Sequence, residues 1–383
     1  MRILHTSDWH IGRTFHGHST VGALETVLSA VVGLVRERSI DLVIVAGDVF
    51  DSTMPAAEHY GVLGRTLSSL RDAGAAVVVT SGNHDSAARL GYQAEFAQLA
   101  GIHVLTRPER HDVPVELQDE HGPVNLYGIP YLEPSLVRHL YPEATLRRHS
   151  DVLAFAMDRI RADAAERGGR SVVVSHCFAT GAAGSDVERD ITAGGLDYVP
   201  LATFDGPDYV ALGHIHGRAT LSERVRYSGA PLHYSFSEAD KPRGAWLVDL
   251  GAEGLETVEW VALPVPRPLA RLTGTLDELI TSPEYAEYAD HWIAATITDD
   301  TRPLDAMPKL QRRFPWCAQL EHRPHTVHDD GHASYASRIE EKSDVEIVAG
   351  FLEHVRNGRG PSEAEAGLVD DAFSALRAAE ATR

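Results

Sequence analysis

Short, unbroken apolar runs alternate with helix-spaced stretches through about the first 260 residues of the chain. Arg2-Ile3-Leu4 opens as a strand, and Ala23 to Arg38 places its apolar residues at helical intervals. Asp41-Leu42-Val43-Ile44-Val45 is a continuous, β-branched strand that ends at Ala46-Gly47-Asp48. A second helix is predicted from about Ala56 to Ala73, and the strand Ala76 to Thr80 then runs into Gly82-Asn83-His84-Asp85. Ser171-Val172-Val173-Val174 ends at Ser175-His176, and Tyr209-Val210-Ala211-Leu212 ends at Gly213-His214-Ile215-His216. Strands with no polar alternation must be buried on both faces, which helices on either side of a sheet provide. The polar residues recur just beyond the strand ends, where open α/β sheets place their sites.

Between Leu105 and Tyr131 the pattern changes to hairpin-like pieces with Pro and Gly breaks. Leu263-Pro264-Val265-Pro266-Arg267-Pro268 reads as a stiff, extended connector, because alternating prolines lock φ. These breaks predict three parts: a large α/β domain over 1–262, a smaller α+β capping domain over 263–343, and a helix-loop-helix over 344–383. The first tail helix is predicted from about Asp344 to Arg356, with Val345, Ile347, Val348, Phe351, Leu352 and Val355 forming one apolar stripe. Asn357-Gly358-Arg359-Gly360-Pro361 breaks it. The second runs from about Ser362 to Ala381, opening with a serine cap and Glu365 three residues on, and carries Leu368, Val369, Phe373, Leu376 and Ala379. Such stripes must be buried, either on the capping domain or on a partner helix.

Composition narrows the class. The chain has 383 residues, 43% of them apolar and 23% charged, as an ordinary globular protein would. No run approaches the roughly 20 apolar residues of a membrane span, and Met1 to His10 lacks the apolar core of a signal peptide. Two cysteines, Cys177 and Cys317, cannot build a disulfide framework, so the expected compartment is the reducing cytoplasm. The net charge of −20 argues against a protein held on nucleic acid by bulk charge. It leaves room for an enzyme that meets phosphates through bound cations and local basic patches.

The candidate chemistry lies in five strand-end motifs: Asp8-Trp9-His10, Gly47-Asp48, Gly82-Asn83-His84-Asp85, His176 and Gly213-His214-Ile215-His216. Each alone has an ordinary explanation, since Gly-Asp after a strand is usually a turn and a lone histidine is usually a satisfied core residue. Together they offer hard oxygen ligands, imidazoles and a carboxylate that two ions can share, as a hydrolytic two-metal centre requires. Residues i and i+2 in a strand-end loop can project the same way, so Asp8 with His10, and His214 with His216, can each reach one point. Glycines beside Asp48, Asn83 and His214 permit tight turns and close backbone approach.

This series, from Ser7-Asp8-Trp9-His10 through Gly47-Asp48-Val49-Phe50-Asp51, Ser81-Gly82-Asn83-His84-Asp85-Ser86 and Ser175-His176 to Gly213-His214-Ile215-His216, resembles the calcineurin-like metallophosphoesterase superfamily. Thr192-Ala193-Gly194-Gly195-Leu196-Asp197-Tyr198-Val199, Tyr227-Ser228-Gly229-Ala230-Pro231 and Ser235-Phe236-Ser237-Glu238 are similar to its SbcD branch of nuclease subunits. The match is strong over about residues 1–262 and extends beyond only in layout. The resemblance implies a two-layer β-sandwich flanked by helices. It implies that Asp8, His10 and His216 hold a first metal, that Asn83, His176 and His214 hold a second, and that Asp48 bridges them. His84 would face the scissile phosphate, and Asp85 would be structural. Relatives commonly place a histidine where this chain has Asp51, which leaves open whether Asp51 assists catalysis or supports its loop. The resemblance further implies two divalent ions, usually Mn2+, and an exonuclease on duplex DNA ends with endonuclease activity on hairpins or single strands. Its implied setting is DNA repair and recombination, as a homodimer within a heterotetramer whose SbcC-type ABC ATPase engages the C-terminal helices.

Several residues are set aside. Cys177 follows His176, and in a persisting strand its side chain points to the opposite face, into apolar surroundings. His16 and His18 fit a solvent-facing loop as well as a DNA contact. Arg147-Arg148 and Lys309 to Arg313 are small basic clusters that solvated surface or DNA contact explains. Two other functions compete: a phosphoesterase for small nucleotides or phosphoproteins, which shares every ligand, and a non-catalytic scaffold, which would have lost a ligand or His84.

Overall fold

The computed structural model describes residues 1–181, 198–324, 342–356 and 358–381, so residues 192–197 of the Thr192 motif lie outside it. Two compact units divide the chain, Met1–Pro266 and Arg267–Arg383.

The first unit begins with β1 (Arg2–Thr6), the small hairpin β2 (Thr14–Phe15) and β3 (His18–Ser19), α1 (Val21–Arg38) and β4 (Leu42–Ala46). It continues through α2 (Ala57–Asp72), β5 (Ala76–Thr80), the short α3 (Ala87–Leu90) and α4 (Ala94–Leu99), β6 (Ile102–Leu105), β7 (Val115–Asp119) and β8 (Gly122–Ile129). After α5 (Pro134–Val137), α6 (His149–Arg167) leads to β9 (Arg170–His176), β10 (Tyr209–Gly213), β11 (Ala219–Thr220), β12 (Val225–Tyr227), β13 (Gly244–Gly251) and β14 (Gly254–Ala262). α1 and α2 begin and end within two residues of the positions read from spacing, while the spacing reading did not include α6.

The strands form two six-stranded sheets, ordered β14-β13-β1-β4-β5-β6 and β11-β12-β10-β9-β8-β7. In the first, β1, β4, β5 and β6 run parallel, with Ile3 opposite Leu42 and Leu42 opposite Ala76. In the second, β8, β9, β10 and β12 run parallel. β4 shows why the strands carry no polar alternation, because all five of its residues are buried. Val43 and Val45 face Leu24, Val27 and Val31 of α1 and Val62 and Leu70 of α2. Leu42 and Ile44 turn the other way, into a layer shared with Leu126, Val172, Val174 and Ala211 of the second sheet. The outer face of that sheet, with Val173, Val210 and Leu212, is covered by Val152, Leu153, Ala156 and Ile160 of α6. Each such aliphatic side chain contributes roughly 1.5–3 kcal/mol by burial, so a charge at Ile44 would open the layer between the two sheets. The result is a β-sandwich of two mixed sheets with helices outside, and it brings the C-terminal ends of the parallel strands of both sheets to one edge.

The second unit builds a three-stranded parallel sheet, β15 (Leu269–Gly274), β16 (Trp292–Ile297) and β17 (Cys317–His322), linked by α7 (Leu276–Thr281) and α8 (Ala306–Arg313). β16 alternates half-buried and buried positions, which places Ile293, Ala295 and Ile297 against Leu279, Leu310 and Phe314. Two further helices follow, α9 (Asp344–Val355) and α10 (Glu363–Ala381). Ser343 with Glu346 forms a capping box on α9, and Ser362 with Glu365 exchanges the same bonds at the start of α10. Glu365 also receives both guanidinium nitrogens of Arg356, at 2.8 and 2.9 Å, which ties the two helices across their turn. Their apolar stripes are divided: Val345, Ile347, Val348, Leu352, Val369 and Phe373 are half-buried, while Phe351, Val355, Leu368 and Leu376 are exposed. Among the described residues, no helix is long and apolar enough to cross a membrane.

Candidate metal centre

Every residue of the five motifs sits just beyond, or at the end of, a parallel strand. Asp8 and His10 follow β1, Asp48 follows β4, Asn83 and His84 follow β5, His176 ends β9, and His214 and His216 follow β10. Backbone bonds lock these loops together. Asp8 N–H donates to the Gly47 carbonyl, and His10 N–H to the Asp48 carbonyl, each at 3.0 Å. The turns are too sharp for ordinary residues: Asp8, His10, Asp48 and His214 all adopt positive φ, at 54°, 45°, 48° and 105°. Non-glycine residues hold that conformation only where surrounding bonds enforce it, a pattern found at functional sites. Two glycines are required by close approach. A Cβ on Gly82 would stand 2.1 Å from Asp48 Oδ1, and one on Gly213 would stand 1.7 Å from the Ala46 carbonyl oxygen.

The side chains converge into three overlapping groups of ligand atoms: Asp8, His10 and His216; His10, Asp48 and His84; and Asp48, His176 and His214. Within each group the atoms lie within 4.8 Å of one another, and all of these residues are buried. Asp48 Oδ2 is 3.6 Å from His10 Nε2 and 3.4 Å from His176 Nε2, so it stands between the outer groups. Asn83 Oδ1 lies 3.0 Å from His176 Nε2 and 3.2 Å from His214 Nδ1. His10 and His216 face each other, Nε2 to Nε2, at 3.1 Å. The structure thus brings together all eight residues singled out in the sequence, and a ring nitrogen of His84 lies within 4.8 Å of ligand atoms of His10 and Asp48.

The hydrogen bonds show that this pocket calls for positive charge. His176 Nδ1 meets the Ala46 carbonyl at 3.0 Å, and a carbonyl only accepts, so Nδ1 carries a proton. Nε2 then faces only acceptors, Asn83 Oδ1 and Asp48 Oδ2. Either that nitrogen is also protonated or a cation stands among the three. The electrostatics agree. Burial opposes charge on His176, yet Asp48, joined by Asp8 and the Ala46 carbonyl, outweighs it and raises the imidazole to about 9. Burial likewise works against Asp48, but His176, His10 and His84 hold its carboxyl well below the usual range. Burial pushes Asp8 up to about 6 against the pull of His176 and His216, and pushes His10 down to about 4. Buried carboxylates, an amide oxygen and imidazoles, with no thiolate, are a donor set that fits two divalent cations.

Other residues take supporting places. Asp85, read as structural, accepts the backbone N–H groups of Val49, Phe50 and Gly82 at 2.9–3.0 Å. Cys177 is buried beside Ile215 and Tyr227, and burial pushes its thiol up to about 12, which leaves it inert. His16 and His18 are exposed on the β2–β3 hairpin. Spacing gave no role to Glu238, Arg243 or Tyr234. Glu238 is fully buried, with Oε1 at 3.1 Å from His216 Nδ1 and Oε2 accepting from Arg243 at 2.7 Å and from Tyr234 N–H at 3.0 Å. Tyr234 wedges its ring against those of both His10 and His216. A carboxylate after Ser235-Phe236-Ser237 carries no local sign of burial, because its partners come from elsewhere in the fold.

The calcineurin-like phosphoesterase family model matches residues 1–218, more than half of the chain. The SbcD C-terminal domain model, described as the type 5 capsule protein repressor C-terminal domain, matches residues 265–356. Solved structures similar to this one include TT1561 of Thermus thermophilus, at 15% identity and a TM-score of 0.41, over 68% of this chain and 98% of that one. A dimetal phosphatase from Danio rerio is similar at 13% identity and a TM-score of 0.39, over 69% of this chain and 99% of that one.

Proposed function

The chain belongs to the calcineurin-like phosphoesterase family, and from that premise we propose that it is a metal-dependent DNA nuclease working with an SbcC-type ABC ATPase. The observation that carries this reading is the pairing, on one chain, of a complete dinuclear donor set with a match to the SbcD C-terminal domain over residues 265–356. A small-substrate phosphoesterase has no use for that second unit.

Asp8, His10 and His216 would hold one cation, Asn83, His176 and His214 the other, and Asp48 both. Bound there, two divalent cations, Mn2+ in this reading, supply Lewis-acid stabilisation of phosphoryl charge and an activated water. The chain's own residues do the rest. His84 Nδ1 donates to the Asp51 carbonyl at 2.9 Å, which fixes the ring. Held so, and carrying a second proton on Nε2, the imidazolium would stabilise the leaving oxygen or pass that Nε2 proton to it as general acid. Buried surroundings strengthen each of these charge interactions relative to water.

The second unit, with Lys309, Arg312 and Arg313 on α8, would meet the DNA backbone. The exposed apolar residues of α9 and α10, Phe351, Val355, Leu368 and Leu376, suit a helix-in-groove contact with the coiled-coil base of the ATPase. Two nuclease chains would then share a heterotetramer in the cytoplasm, with ATP state governing access to the metals.

The test is metal analysis of the purified chain with digestion of labelled duplex and hairpin DNA, with and without Mn2+. Two bound ions and Mn2+-dependent cleavage are expected, both lost in Asp48→Ala. Hydrolysis of a chromogenic phosphodiester with no cleavage of DNA would replace this reading with the small-substrate one.

A further inference from the structure

The two metal positions are backed differently. In the group Asp8, His10 and His216, the imidazoles present Nε2 inward and turn Nδ1 toward carboxylates. His216 Nδ1 lies 3.1 Å from Glu238 Oε1, and Arg243 holds the other oxygen of that carboxylate at 2.7 Å. His10 Nδ1 has Asp51 Oδ1 at 3.2 Å, within ion-pair reach though not aligned as a hydrogen bond, and Arg13 donates to the same oxygen at 2.9 Å. In the other group, His176 is backed only by the neutral Ala46 carbonyl. His214 turns Nδ1 itself toward Asn83.

A carboxylate accepts and cannot donate, so the bond from Glu238 requires the proton on His216 Nδ1 and leaves the Nε2 lone pair pointing inward. The same contact makes the imidazole a stronger donor to a cation. A neutral carbonyl fixes the tautomer as well but adds no charge. The Tyr234 ring, packed on both His10 and His216, and its hydroxyl bonded to the Trp9 carbonyl at 2.6 Å, remove the remaining rotational freedom.

We propose that Glu238 and Asp51 are positioning residues that make the position held by Asp8, His10 and His216 the tighter of the two metal sites. This rests on the two-metal reading above and assigns Asp51 a role that the sequence left open. Arg13 and Arg243 are part of the device, because each holds its carboxylate in place. Glu238, fully buried and aligned, has the larger effect, and Asp51, a third exposed, the smaller.

The experiment is titration of the full chain with Mn2+, reading free Mn2+ by electron paramagnetic resonance, for the wild type, Glu238→Gln and Asp51→Asn. The wild type is expected to bind two ions with separable affinities. Each variant should weaken the tighter class alone, by about 10- to 100-fold, and leave the weaker class unchanged. Because Glu238→Gln removes the carboxylate charge that faces the buried Arg243 and can impair folding, Asp51→Asn decides the matter in that event. Equal losses at both classes, or affinities unchanged in a folded variant, would overturn the proposal while leaving the two-metal reading intact. A wild-type chain that binds no Mn2+ would overturn both.

Discussion

Asp85 offers the clearest test of how the centre is held together. Its carboxylate is buried and accepts three backbone N–H groups: Val49 at 3.0 Å and Gly82 at 2.9 Å on Oδ2, and Phe50 at 2.9 Å on Oδ1. These donors belong to the loops after β4 and β5, which carry Asp48, Asn83 and His84. Asp85→Ala leaves all three donors unpaired. An unsatisfied buried donor costs about 1–3 kcal/mol, and water entering the space left by the carboxyl recovers part of that. A loss of roughly 3–5 kcal/mol is therefore predicted, a large share of the ~5–15 kcal/mol typical of a folded domain. Asp85→Asn is a graded control. With its oxygen in the Oδ2 place it keeps Val49 and Gly82 and turns an amino group toward Phe50 N–H, which costs about 1–3 kcal/mol. Urea unfolding gives the stability. Hydrogen exchange on peptides spanning residues 47–51 and 81–84 gives the local effect, since freed amides lose protection. Unchanged protection there, with stability within about 1 kcal/mol of wild type, would refute the reasoning.

Three further predictions rest on named contacts. His84→Ala is expected to keep both metals and DNA binding while its rate falls on the order of 10²–10⁴-fold; a parallel fall in metal content would make His84 a ligand instead. Arg170 donates to both oxygens of Asp119, at 2.9 and 2.5 Å, and holds that carboxyl well below its usual 3.8. The stability it contributes is thus present above about pH 4 and lost as pH falls through that range toward the folded value. Urea midpoints across pH should show Asp119→Asn with a flatter acid limb, and identical limbs would exclude the pair as its cause. Truncation after Ser343 should leave a folded, metal-loaded nuclease on single-stranded substrates that no longer co-purifies with the ATPase. Unchanged complex formation would remove the tail's proposed role, and an unfolded product would point to the tail docking on its own chain.

The elements of this protein are legible because their cause is local. Leu42 to Val45 must be a strand buried on both faces, since no polar residue interrupts it, and observed β4 is buried at every position. Ser362 and Glu365 announce a helix start because a capping box is closed within four residues, and its bonds are present. The same locality put Asp8, Asp48, Asn83, His176 and His214 at strand ends, and parallel strands of one sheet deliver their ends to one edge.

What the chain could not declare is whatever depends on how its two sheets face each other. The His214 N–H donates to the Asp8 carboxylate across 206 positions of sequence, and His10 and His216 meet across the same separation. The positive φ of Asp8, His10, Asp48 and His214 occurs where hydrogen bonds join loops distant in sequence, so no dipeptide preference signals it. Glu238 looks like any surface glutamate until folding buries it between His216 and Arg243. Asp51 acquires a reason for being acidic only when Arg13 and His10 stand on either side. A donor set can be read from residue types and strand ends, because those follow from near neighbours. The charges that orient the donors are assembled by packing between segments far apart in the chain, and only the tertiary structure decides them.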